Sequence, residues 1–149
     1  VENTTLGIEK LNFENTGVDT VIETQLDLKS GRVVGIVKKL SVTSKYEIKT
    51  PNGVAGVRGT KYVISADSTV SVLDGQVVVV YVLADGEVKT QVVNAGGRFD
   101  PATQQVSPLT EEQKGELIAD MAALEGAYAM PQDKFDLPII YVSPIAPNN

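Results

Sequence analysis

An arginine set among glycines is the first candidate for chemistry. In NGVAGVRGTKYVI, residues 52–64, Arg58 is surrounded by Gly53, Ala55, Gly56 and Gly59 within sequence that otherwise reads as a β-strand. A guanidinium is always charged and carries five N–H donors in a planar fork. Glycine beside it lets another backbone approach closely and leaves amide groups accessible. Two uses follow. Presented outward with Lys61 and Tyr62, Arg58 would hold an anion or a partner carboxylate. Turned inward, it would brace a β-arc by satisfying crowded carbonyls, with Glu47, Asp67 or Asp74 as counterion, since a buried arginine needs one. The bracing reading is the more economical.

Other chemistries are poorly supplied. His, Cys and Trp all number 0, which excludes Ser-His and Cys-His nucleophiles, thiolate chemistry, ordinary zinc sites and disulfides. Glu23, Asp27, Glu111 and Glu112 could in principle furnish two carboxylates for glycoside hydrolysis. Glu23 and Asp27, however, occupy the polar side of an alternating strand, and Glu111 and Glu112 suit the first turn of a helix, where the dipole favours negative charge. Asp67 and Asp100 lie in loops where calcium binds in other proteins, but no EF-hand or nonapeptide repeat accompanies them. Tyr46, Tyr62 and Tyr81 could line a sugar-binding face or serve as cross-strand core. The expectation is no catalytic residue, no metal site and no cofactor.

The elements that would position these residues are mostly strands. In 149 residues, 42% are hydrophobic and 21% charged, a globular composition sufficient for a sizeable core. The longest apolar run, residues 77–84, is strand-sized, so no transmembrane segment is expected. A net charge of −6 disfavours nucleic acid and anionic membrane surfaces. Residues 20–28 alternate, with Ile22, Thr24, Leu26 and Leu28 against Glu23, Gln25 and Asp27. Similar segments cover residues 4–13, 32–42 (interrupted on its apolar face by Lys38), 45–50, 69–73, 76–83 and 87–93. Turns are expected at residues 15–17, Ser30-Gly31 and 51–53, with two-residue hairpins at Asp74-Gly75 and Asp85-Gly86. Thr110 and Gln113 form a capping box that opens a helix to about Ala127, its stripe built from Leu117, Ile118, Met121, Leu124 and Tyr128. Beyond it come prolines at 131, 138, 144 and 147, with an edge strand at residues 139–142.

The signature residues resemble the bacterial FecR domain. In YEIKTPNGVAGVRGTKYVI, the positions Ile48, Thr50, Pro51, Gly53, Val57, Arg58, Gly59, Thr60, Tyr62 and Ile64 fit that family's spaced pattern in order, and Gly75, Val77 and Val79 fit its later G-x-V-x-V piece. The resemblance covers about residues 4–80. It implies an all-β, non-catalytic, extracytoplasmic (periplasmic or secreted) interaction or signalling module, whose partner would be an envelope protein or a glycan. An anionic small-molecule or glycan binder using Arg58, Lys61 and Tyr62 is the alternative. The expected fold is mainly β: an antiparallel twisted β-sandwich or roll of short strands with one C-terminal amphipathic α-helix. Residues 1–108 would form the β domain and residues 109–149 the helix and Pro-rich tail. The start at Val1 suggests a processed or trimmed segment; oligomeric state is left open.

Overall fold

β-branched residues at alternate positions, separated by glycine-bearing turns, fold as strands through most of the chain. The computed structural model describes residues 4–15, 17, 20–37, 44–127 and 139–143. In chain order the elements are β1 (Thr5–Asn15), β2 (Thr20–Ser30), β3 (Arg32–Ile36), β4 (Lys45–Thr50), β5 (Gly53–Ser65), β6 (Val70–Val82), β7 (Val88–Asn94), β8 (Gly97–Asp100), β9 (Gln105–Pro108), α1 (Glu111–Ala127) and β10 (Ile139–Ser143). The positions of Lys38, Leu40, Val42 and Tyr128, and the prolines at 131, 138, 144 and 147, lie outside the described residues.

The fold is organised by one long hairpin, β5 with β6, each 13 residues. Its turn is at residues 66–69, where Ser68 takes φ +72° and Asp67 Oδ1 accepts a bond from the Thr69 N–H at 2.8 Å. Asp74-Gly75, expected to be a hairpin turn, instead lies inside β6. Gly75 does adopt the positive φ that the dipeptide invites, +83°, but uses it for a bulge opposite Gly59, itself at +54°. At this bulge the ribbon is divided between two leaves of the sheet. In the first leaf, residues 53–56 of β5 pair with β4, β4 with β2 and β2 with β1, while residues 76–82 of β6 pair with β7. In the second, residues 61–65 of β5 pair with β3, and β3 with β10, while Val70 and Ser71 of β6 pair with β8, and β8 with β9.

Thr50 and Ser68 flank opposite ends of β5, yet their hydroxyl oxygens are 2.5 Å apart. Thirteen extended residues would separate the ends by about 40 Å, so the ribbon is folded back and the leaves face each other. The mainly β roll with a C-terminal helix is therefore present. One pairing departs from the antiparallel expectation: β2 and β4 run parallel. The chain leaves the first leaf at Gly31 (φ +81°), crosses the second as β3, and re-enters the first in its original direction.

Between the leaves lies a core that includes Leu26, Leu28, Ile48, Ile64, Val72, Val77, Val79, Phe99 and the three tyrosines Tyr46, Tyr62 and Tyr81. On β3, Val33 faces this core and Val34 the opposite side, where Leu117, Met121 and Leu124 of α1 pack with Leu109. The capping box forms as expected, with the Gln113 N–H donating to Thr110 Oγ1 at 3.2 Å and the Thr110 N–H to Gln113 Oε1 at 3.0 Å. Ile118 does not join the buried stripe and is 56% exposed, because Leu117, Met121 and Leu124 already fill the narrow face that meets the leaf.

Candidate interaction surface

The glycine-flanked signature builds the corner of the fold. A Cβ on Gly75 would come within 2.2 Å of the Gly59 carbonyl oxygen, so the two backbones cross where Gly75 has no room for a side chain. The crowded carbonyls are met by Thr60. Its buried hydroxyl shares its proton between the carbonyl oxygens of Arg58 and Gln76, each 2.8 Å away, and its oxygen accepts from the Gln76 N–H at 3.3 Å. Arg58, two residues before Thr60, is exposed. At the other signature turn, Pro51-Asn52 links β4 to β5, and a Cβ on Gly53 would lie 2.3 Å from the Val80 carbonyl oxygen. Val57 contributes to the core.

Alternation along β5 sends Lys61 and Tyr62 to opposite faces. Lys61 reaches across the outside to Glu125 of α1, with Nζ 3.1 Å from Oε1. Tyr62 is fully buried; its hydroxyl donates to that of Tyr46 at 3.1 Å, and the rings meet edge to face. Its ring lies over Gly35 of β3, where a Cβ would fall 2.3 Å from the phenolic oxygen. Burial drives the ionisation of both phenols upward; for Tyr62 the neighbouring Tyr46 adds to the rise. Arg58, Lys61 and Tyr62 are thus not gathered on one surface. Tyr81 stacks at a tilt on Phe99, 5.0 Å between centroids, so all three candidate sugar-binding tyrosines are interior.

The acidic candidates are similarly dispersed. Glu23 pairs with Lys10, whose hydrogen bond and charge hold its carboxyl below the usual range. Glu111 pairs with Lys114 at 3.2 Å. Asp27 follows Glu23 on β2, far along the chain from the helix that bears Glu111 and Glu112. The loop residues Asp67 and Asp100 cap their own turns, through Thr69 N–H and Ala102 N–H. Among the described residues, no three acidic side chains group as a metal site would require.

What the molecule does present is an apolar edge. Among the described residues, β7 pairs on one side only, with β6. On the outer face of this pair, Val82 lies opposite Val88 and Val78 opposite Val92, with Val80 between them. Val82 and Val88 are 53% and 62% exposed, and Val80 and Val92 are exposed as well. β1 is the other edge of this leaf, and it carries Glu9, Lys10 and Glu14, charges that oppose pairing with a foreign strand. β7 carries only Lys89, which belongs to the opposite face and reaches Gln104 at 3.3 Å. The run from Val77 held the signal for this surface: a strand apolar on both faces calls for cover on both, and the fold covers one.

A scan against protein families matches residues 1–78 to the family described as FecR protein. Among solved structures, the chain is similar to two crystal structures of a candidate anti-sigma factor from Parabacteroides distasonis. One is 10% identical with a TM-score of 0.47, covering 84% of this chain and 73% of that one. The other is 9% identical with a TM-score of 0.44, covering 96% and 99%. A search of the curated proteins returns no match. No helix among the described residues is long and apolar enough to cross a membrane.

Proposed function

The chain belongs to the FecR family, whose domains are non-catalytic and extracytoplasmic, and on that premise we propose that it works by docking an envelope protein along β7. The partner lays an extended segment beside β7, and its apolar side chains cover the valine face. Main-chain hydrogen bonds at the open edge supply much of the affinity, and alternate side chains on the valines supply selectivity. In this reading occupancy of β7 is the signal, and the corner at Gly59 and Gly75 fixes the direction in which the edge is offered.

The observation that carries the reading is the conjunction of an open, nearly uncharged strand edge with exposed valines in register across two strands. A protein partner is favoured over a glycan because the tyrosines that would stack on sugar rings are buried. The test is capture from a bacterial envelope extract by the wild-type chain and by a Val82→Lys/Val92→Lys variant, with circular dichroism to confirm the fold. The reading expects a partner retained by the first and lost by the second. Equal capture by both, or none by either, would refute it.

A further inference from the structure

The seam between α1 and the second leaf is apolar along Leu117, Met121 and Leu124 and is flanked by the Lys61–Glu125 and Arg32–Asp120 pairs. Near the start of the helix it contains a cavity of about 100 Å³, and Arg32, Arg98, Thr69, Ser71, Asp120 and Glu116 are among its walls. That volume would hold about three waters. Thr69 and Ser71 are more than nine-tenths buried.

The guanidinium groups are incompletely used. Arg32 Nη1 is 3.0 Å from Asp120 Oδ2, but Arg32 Nε is shut off from solvent and has no hydrogen-bond partner among the described residues. Buried N–H donors are seldom left in that condition, least of all charged ones. Arg98 touches the Ser71 hydroxyl at 3.4 Å, near the limit of a hydrogen bond, and forms no ion pair among the described residues. Asp120 is paired with Arg32, whereas Arg98 and Glu116, both in the lining, form no ion pair with each other among the described residues, which leaves the Arg98 donors free to turn to an occupant. Glu116 is an exposed residue and makes the opening less hospitable to a large polyanion than to a single small group.

We propose that this cavity binds one small oxyanion, a carboxylate, phosphate or sulfate group, between Arg32 and Arg98, with the Thr69 and Ser71 hydroxyls donating to it. The site is distinct from Arg58 and from the β7 edge. It is roofed by α1, so an occupant ties the helix to the leaf beneath.

Thermal unfolding of the whole chain in sodium phosphate, sulfate and acetate, each against sodium chloride at equal ionic strength, tests this. At ten times its Kd, the preferred anion raises Tm by about 3–5 °C, and the three arms tell tetrahedral from planar groups. Backbone amide NMR shifts move at Thr69, Ser71 and Arg98 in the same titration. Arg98→Gln abolishes both responses, and Arg58→Gln at the exposed corner leaves them intact. Should Arg98→Gln fail to fold, Ser71→Ala is expected to weaken binding several-fold. A response to all three anions no larger than to chloride would overturn the proposal. So would one that persists unchanged in Arg98→Gln or, where that variant is unfolded, in Ser71→Ala.

Discussion

At the corner of the fold the crowded carbonyls are met by the Thr60 hydroxyl, while Arg58 beside it is an exposed residue. A guanidinium has more donors, but a short hydroxyl can enter a corner where two backbones cross. Thr60→Val therefore leaves the Arg58 and Gln76 carbonyls without that donor, at a cost of about 1–3 kcal/mol in urea denaturation. Arg58→Ala, at an exposed position, is expected to cost less than about 1 kcal/mol by the same measurement. Gly75→Ala combines a positive φ with a backbone clash and should cost roughly 2 kcal/mol or more. The tyrosine pair sets a limit at high pH. Both phenols have raised values in the fold, against an ordinary value of 10.0. The stability they contribute is complete below about pH 10 and is lost as pH climbs through the raised values, because the unfolded chain gives up its protons first. Circular dichroism across an alkaline titration should show unfolding begin above about pH 10, and Tyr46→Phe/Tyr62→Phe should move the midpoint upward.

Elements were legible where one local rule sufficed. The Thr110 cap and the alternation of residues 20–28 each depend on neighbours in sequence, and each forms as read. Asp85-Gly86 also reverses the chain, but in a three-residue loop, residues 84–86, closed by Leu83 and Glu87, with positive φ at Gly86 and not at Asp85. Asp74-Gly75 shows where local rules stop: the dipeptide specifies positive φ, and whether that makes a turn or a bulge is decided by Gly59, sixteen residues before Gly75. The parallel pairing of β2 with β4 is likewise set by the excursion through β3. Ile118 depends on how wide a face the leaf accepts. The valine edge could be found only by asking what covers each side of β6. For α1, burial of three large side chains holds the helix to the leaf, assisted by the Arg32–Asp120 and Lys61–Glu125 pairs. Leu117→Ala should cost about 2–5 kcal/mol. Hydrogen exchange should show α1 losing protection ahead of the β5–β6 ribbon.

At the scale of the whole molecule, closure joins distant parts of the chain. β10 pairs with β3 across more than a hundred residues, and the Thr50–Ser68 contact closes the ribbon on itself. Such pairings must overcome loop entropy before they gain anything, so refolding followed by tyrosine fluorescence should take milliseconds to seconds rather than microseconds. The shared ribbon has another effect. Since β5 and β6 run unbroken through both leaves, neither leaf can swing open like a jaw without tearing strands that belong equally to its neighbour. A message received at one border of this molecule must travel as a load on a stiff frame, felt elsewhere by whatever that frame leans against.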